Sequence, residues 1–504
     1  MAPSPGSLAS LQLPNNPHLY EINTWAWLEE LSVRMGRLIR LGEVPSDEWD
    51  RLAGRGFHAV WLMGVWQRSA ESRKIAVQEA ENVRAPFDRA LPGWTPSDII
   101  GSPYAVAAYQ PDPRIGGWTG LDAARNQLRA RGLALFLDFV GNHTAFDHPW
   151  THAHPEFYVR GSRQDFEKDP DSFWAIELPE GTIYLALARD PYFPAWKDVA
   201  QLNHFERRLR SAQIEELRVI ASHCDGVRCD MAMLQLRDIF ASIWGPLLGA
   251  QIPPASEFWA DAHAACPGLI LLGEAYWGTE PRLLDLGFSF VYDKALYDLV
   301  RDVRISGVRA NLDVDVAYQD RLVRFLENHD EERCVSVFGA QRLASVATFM
   351  GTLPGMRFYH QGELEGRKEH LPIPLRMAAP QPADPLIAPF FEKILQITRR
   401  DVFHAGEWKL LPVTQDYDST FENLIAYEWR LRGAWTIVVV NLSGTASQGR
   451  IQLNSAAAPG KNWIFRDELE GVIYPRLAEE CCSVGLFVRR DAFGVHIFTV
   501  SSDE

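Results

Sequence analysis

Short apolar runs recur along the chain, and between them apolar residues return every three or four positions. The runs are LYEINTW (19–25), HAVWLMGVW (58–66), LALFLDFV (133–140), DGVRCD (225–230), LILLGE (269–274), FSFVYD (288–293), RLVRFLEN (321–328) and GMRFYHQG (355–362). Unbroken apolarity over so few residues suits strands buried on both faces, as in a parallel sheet. Two intervening stretches carry helical spacing. TGLDAARNQLRARG (119–132) brings Leu121, Ala124 and Leu128 to one side and stops at Gly132. ERRLRSAQIEELRVIASH (206–223) does the same with Ile214, Leu217 and Ala221. Eight strands alternating with helices predict an α/β fold, a (β/α)8 barrel, with its site at the carboxyl ends of the strands.

The alternation breaks between the third strand and the helix near Glu206. Residues 143–203 are rich in aromatics, Pro, Asp and Gly, and a structureless loop of that length is unusual in a compact domain. They are read as an inserted subdomain over the strand ends. Beyond about Ala405, LIAYEWRL (424–431), AWTIVVVNL (434–442), GRIQL (449–453) and FGVHIFTV (493–500), with turn residues between them, predict an antiparallel β-domain. The expected domains are a barrel over 1–142 and 204–403, the insertion over 143–203, and a C-terminal β-sandwich over 404–504.

Several apolar runs end in groups that a core does not choose. Asp230, Glu274 and Asp330 each end or follow one, and burying a charge without a partner is costly. Consecutive polar strand ends in a barrel converge on one centre. Two carboxylates facing each other there suit retaining glycoside hydrolysis, in which one attacks the anomeric carbon and the other serves as acid and then base. Arg228 lies two residues before Asp230, on the same side of the strand, and favours Asp230 as the ionised nucleophile. Glu274 has no basic neighbour in sequence and is followed by Ala275, Tyr276 and Trp277, which favours it as the acid/base.

Composition narrows the partners. A formal net charge of −15 leaves no basic surplus for nucleic acid or an anionic membrane surface. The opening residues, MAPSPGSLASLQLPNNPHLY, lack the basic and apolar regions of a secretory signal. The six cysteines form no C-x-x-C pair and read as reduced thiols in a cytoplasmic protein. No H-x-H or H-E-x-x-H spacing supports a metal hydrolase.

These strings together resemble the alpha-amylase family of retaining glycoside hydrolases (glycoside hydrolase family 13). DFVGNH (138–143) is similar to the third-strand motif and GVRCD (226–230) to the motif carrying the nucleophile. GEAYW (273–277) is similar to the acid/base motif, and ENHD (327–330) to the His-Asp pair after the seventh strand. SPYAVAAY (102–109) resembles the segment whose first tyrosine lies under the reacting sugar. The resemblance runs from about His18 to Phe403. It implies that Asp230 is the nucleophile, Glu274 the acid/base, and Asp330 the residue holding the 2- and 3-hydroxyls. His143 and His329 would bond hydroxyls of the same sugar, Arg228 would orient Asp230, and Tyr104 would stack beneath the ring. Trp277 is a candidate acceptor-side contact, Trp150 and Trp174 are read as packing ahead of lining the mouth, and Asp138 is either a site member or a structural group of the barrel interior.

The chain also departs from the family pattern. Many members hold calcium between barrel and insertion. Asn142 is present, but Gln201 stands where an aspartate would lie and Leu234 where a histidine would donate its carbonyl. Calcium prefers several hard, charged oxygens, so no cofactor is expected. Met233-Leu234 replaces the Lys-His of polymer-cleaving members, and Gly101 replaces an aspartate of members that grip a terminal glucose. The expected partner is an oligosaccharide or disaccharide. Hydrolysis, transfer to another sugar, phosphorolysis and a non-catalytic binding role stay open at this stage, as do linkage, endo or exo action and oligomeric state.

Overall fold

The computed structural model of the chain describes residues 11–179, 181–453 and 461–502. The expected domain limits and the opening residues judged to lack a signal include positions 1–10, 180, 454–460 and 503–504, which lie outside the described residues. Eight parallel strands close a barrel: β1 His18–Asn23, β2 Ala59–Met63, β3 Ala134–Phe139, β4 Gly226–Cys229, β5 Ile270–Gly273, β6 Phe290–Tyr292, β7 Leu322–Arg324 and β8 Met356–His360. Each pairs with its neighbour in sequence, and β8 returns to β1 from His18↔Arg357 to Glu21↔His360. Seven fall within the runs expected from sequence, and β1 begins one residue before its run, at His18. Each is shorter than its run, because the polar residues at the carboxyl ends leave the ladder and turn over the barrel mouth.

The two predicted helices form as Gly117–Arg129 and Arg207–His223, with Leu121, Ala124, Leu128 and Leu217 buried against the barrel. The insertion after β3 begins with a strand, His143–Ala145, that pairs with Val199–Gln201, so its entry and exit are stitched together. Its own three-stranded sheet, Arg160–Gly161, Phe173–Leu178 and Gly181–Ala186, covers a core that includes Phe146, Phe157, Tyr158 and Leu185. Trp150 and Trp174 pack here, Trp150 edge-on against Phe157 at 5.4 Å and Trp174 stacked on Phe146 at 4.4 Å.

A second excursion, not anticipated from the alternation, separates β2 from β3. A strand at Trp66–Arg68 pairs with Val106–Pro111, and helices Ala70–Asn82 and Arg84–Ala90 lie between them. This segment carries Tyr104. The polar composition of its helices hid it, since only Ala76, Ala80, Phe87 and Ala90 of them enter an apolar cluster.

The C-terminal region folds as two antiparallel sheets, of six and three strands. Trp435, Ile437, Trp463, Phe465, Leu486 and Val488 fill the space between them. It docks on the barrel helix Cys334–Thr352, where the Trp429 indole donates to the Thr352 carbonyl at 2.8 Å. Among the described residues no helix is long and apolar enough to cross a membrane.

Candidate active site

Arg228, on β4, is the organising cation. Its guanidinium is buried in the barrel mouth, with its carbon 5.3 Å from the Tyr104 ring centre, 5.4 Å from Trp61 and 5.8 Å from Tyr292. One nitrogen donates to Asp230 Oδ1 at 2.6 Å and the other meets Glu274 Oε2 at 2.7 Å. Asp230 stands one residue past β4 and Glu274 one past β5, so adjacent strand ends bring them to one fork. The expectation that Glu274 lacks a basic neighbour holds in sequence and fails in space. The neighbour comes from the next strand, through the register Arg228↔Leu272.

Glu274 is held at both oxygens. Oε2 also accepts from the Met231 backbone N–H at 2.6 Å, and Oε1 accepts from the Tyr276 hydroxyl at 2.7 Å. Met231 has φ of 41° and Trp277 has φ of 62°, left-handed conformations that cost a bulky residue roughly 1–3 kcal/mol each. Each strained residue sits beside one of the two carboxylates, where the chain must turn sharply to aim a peptide N–H or a ring. Burial pushes both carboxyls above their ordinary range, while Arg228 opposes the shift in each. The two therefore titrate as a pair rather than as one ionised and one neutral group set apart by arginine.

The loop after β7 supplies the opposite side. His329 shares one hydrogen bond with Glu21 Oε1 at 2.5 Å through Nδ1, while Nε2 lies 2.7 Å from the Tyr104 hydroxyl and 3.0 Å from Asp330 Oδ2. Burial works against a charged imidazole, but the Asp330 and Glu21 carboxylates outweigh it and hold His329 well above its ordinary value. Burial works against the Asp330 anion too, yet His329 and, further off, Arg228 bring it down to about 2. Asp330 keeps 47% of its side chain open to the cleft. Tyr104 stacks on the His329 ring at 5.2 Å and forms a flat floor between the two groups.

The structure therefore brings Asp230, Glu274, Arg228, Tyr104, His329 and Asp330 to one centre. His143 lies at the start of the insertion with its ring edge-on to Trp196 at 5.3 Å, and burial pushes its pKa down to about 4. Trp277 stands at the mouth, 42% exposed and edge-on to Tyr192 at 5.1 Å. Trp150 and Trp174 pack, partly buried, against the core of the insertion, the packing role read for them ahead of the mouth. Asp138 sits across from Arg228 in register, and its Oδ2 accepts from the Gly64 N–H at 2.8 Å. Burial lifts its carboxyl to about 6 against the pull of Arg228.

Sequence reasoning missed Glu21, Tyr276 and His370. Glu21 carried the same signal as the others, a carboxylate inside an apolar strand. His370, whose Nε2 donates to the His329 carbonyl at 2.8 Å, had no signal, because its segment reaches the site only through tertiary packing.

The calcium junction of the family does not fit these residues. Gln201 points its amide nitrogen at the Asn142 carbonyl, Asn142 Oδ1 and the Leu202 carbonyl, each 3.0 Å away. Two of these are backbone oxygens that can only accept, which fixes the amide with its NH2 inward. A neutral N–H donor thus meets the oxygens that a dication would need as ligands.

The fold is a (β/α)8 barrel with an insertion after its third strand and a C-terminal antiparallel domain, and it is similar to that of alpha-amylases. No protein-family model matches the chain. Alpha-amylase MalA of Haloarcula japonica is 24% identical over 338 residues, 64% of this chain and 41% of that protein. Alpha-amylase 3 of Dictyoglomus thermophilum is 25% identical over 288 residues, 52% of this chain and 53% of that protein. The chain thus spans about half the length of the curated relatives it matches. The maltogenic alpha-amylase AmyB of Thermotoga neapolitana superposes with a TM-score of 0.69 at 20% identity, covering 96% of this chain and 98% of that one, a likeness of fold.

Proposed function

We propose that the chain is a retaining glycoside hydrolase that cleaves α-glucosidic bonds of malto-oligosaccharides or related α-glucans. The observation that carries the reading is the Arg228 fork, which grips an oxygen of Asp230 and an oxygen of Glu274 at once. A shared fork keeps the two carboxyls close, in keeping with the roughly 5–5.5 Å separation of retaining chemistry.

Asp230 attacks the anomeric carbon of a sugar lying on Tyr104, and the carbon–oxygen bond to the leaving chain breaks. Glu274 gives its proton to that oxygen, and afterwards takes one from the water that hydrolyses the glycosyl–Asp230 ester. The upward shift of Glu274 by burial keeps it protonated at higher pH than an ordinary glutamate. Asp330, ionised by its contact with His329, accepts from ring hydroxyls, and those bonds strengthen as the ring distorts. The Arg228 cation disperses charge on Asp230 as the ester forms and breaks.

The proposal includes an oligosaccharide or disaccharide as partner, no nucleic acid or membrane partner, no metal cofactor, and a cytoplasmic location. The neutral Gln201 amide supports the metal-free reading, and six free thiols support the reducing compartment. Proton NMR of a maltotriose digest tests the reaction: the α-anomer of the newly formed reducing end appears first. First appearance of the β-anomer sinks the retaining mechanism. Repeating the digest with phosphate separates hydrolysis from phosphorolysis, which gives a sugar phosphate, and longer oligomers in either digest reveal transfer.

A further inference from the structure

The two sides of the cleft are built differently. Protonation by Glu274 places the departing, reducing-end part of a substrate on the β5 side. That side is open and aromatic, with Trp277 joined by Tyr192 and Phe193, which are 68% and 69% exposed. The non-reducing end of the reacting sugar must point the other way, toward β8, β1 and β2, half a turn around the eight-stranded circle.

That side is crossed by a strap, residues 361–381, which follows β8. Its backbone is bound at several points. The Ile100 N–H donates to the Pro374 carbonyl at 2.8 Å, and the Arg376 N–H donates to the Asp98 carbonyl at 3.0 Å. Arg68, on the excursion after β2, donates both to the Gly101 carbonyl at 2.6 Å and to the Ile373 carbonyl at 3.1 Å. His370 donates to the His329 carbonyl. The strap thus touches the backbone of both elements that hold the sugar, the loop carrying Tyr104 and the loop carrying His329, and closes the gap between them.

Leu375, fully buried with Trp94 and Ile99, anchors its middle. Ion pairs of Arg367 with Glu30 and Arg376 with Glu29, each at 3.0 Å, tie it to the helix Thr24–Met35. These partly exposed pairs add little alone. Backbone bonds and the buried leucine make the strap a fixed wall. Behind it lies a cavity of about 310 Å³ whose lining includes His329, Asn23, Gln361 and Met377. Of the six groups at the reaction centre, His329 alone belongs to that lining.

We infer that the strap ends the cleft on its non-reducing side, so that the protein acts on chain ends and releases short products. This rests on the glycosidase reading above. It also assigns the terminal-unit grip, which Gly101 cannot supply, to a different part of the fold.

The test compares a p-nitrophenyl malto-oligosaccharide with a free non-reducing end, the same compound blocked there by a 4,6-acetal, and β-cyclodextrin. The free-ended substrate is cleaved from its non-reducing end to short products, while the blocked and cyclic ones react at least ~100-fold more slowly. Cleavage of all three at comparable rates, or mid-chain products, overturns the inference and leaves the glycosidase reading standing. Cleavage of none of them overturns both. A variant that loosens the wall, Leu375→Ala, removes the strap's buried anchor and touches no group of the reaction centre. It raises cyclodextrin cleavage relative to the linear substrate, and a ratio unchanged from wild type in a folded variant counts against the strap as the barrier.

Discussion

In the barrel mouth, Arg228 holds two buried carboxylates by ion pairs. At the junction with the insertion, the neutral Gln201 amide holds three buried oxygens by hydrogen bonds. Both places gather buried acceptors that need partners. The mouth keeps full charges, although burying them costs more than burying amides. The junction uses the least charged donor that satisfies its geometry. On the proposed function the difference separates sites by their work: proton transfer and nucleophilic attack need ionisable groups, whereas holding two segments together does not.

The comparison breaks most severely at Asp230. Asp230→Asn keeps the shape and removes the proposed nucleophile, so turnover of maltotriose falls at least ~1,000-fold while the melting temperature stays within a few degrees. Full activity in that variant removes the reading of the mouth as a reaction centre. Glu274→Gln loses on the order of 100- to 10,000-fold with a sugar leaving group, and far less with a glycosyl fluoride, whose departure needs no proton. An equal loss on both substrates would assign Glu274 another task.

Arg228→Met unpairs two buried carboxylates and destabilises the fold by about 3–5 kcal/mol at neutral pH. The carboxyls relieve this by taking protons, so the loss measured by denaturation shrinks as pH falls. A pH-independent loss would point to packing alone. Gln201→Ala leaves buried carbonyls without a donor and costs about 1–3 kcal/mol, with the melting temperature of wild type unchanged by EDTA or added calcium. A calcium-dependent melting temperature in wild type breaks the contrast from the junction side.

The smallest effect concerns the His329–Asp330 pair. His329 is raised above its ordinary 6.5, so its contribution is complete below that pH and is lost as pH climbs through the raised value. Asp330 is lowered from 3.8 to about 2, so its contribution is present above 3.8 and fades as pH falls toward 2. The pair is therefore intact from about pH 4 to beyond neutrality. A ring-proton NMR titration finds His329 still protonated at pH 7, and a neutral ring there breaks the pairing.

Much of this was legible from the chain. LFLDF, GVRC and LILLG gave their strands away because strands buried on both faces have no polar alternation to confuse with helix. Asp230, Glu274 and Asp330 stood out because a carboxylate ending such a run needs a partner, although Asp293 ends another run and serves structure, paired with Arg324. The excursion after β2 was not legible, since its helices are polar and only four of their residues enter the apolar cluster. Nor was the sharing of Arg228: i and i+2 on one strand were visible, but contact with Glu274 depends on strand register.

By itself, the sequence determined which residue types end each strand, and with them the polarity of the barrel mouth, because burial energetics act on local pattern. It also determined that Gln201 could bring no charge to the junction. Only the tertiary structure decided that one guanidinium serves two carboxylates, that an amide fills the junction, and that the strap after β8 walls off one side of the cleft. Those are relations between segments tens to hundreds of residues apart, set by ladder register and packing, on which no local pattern reports.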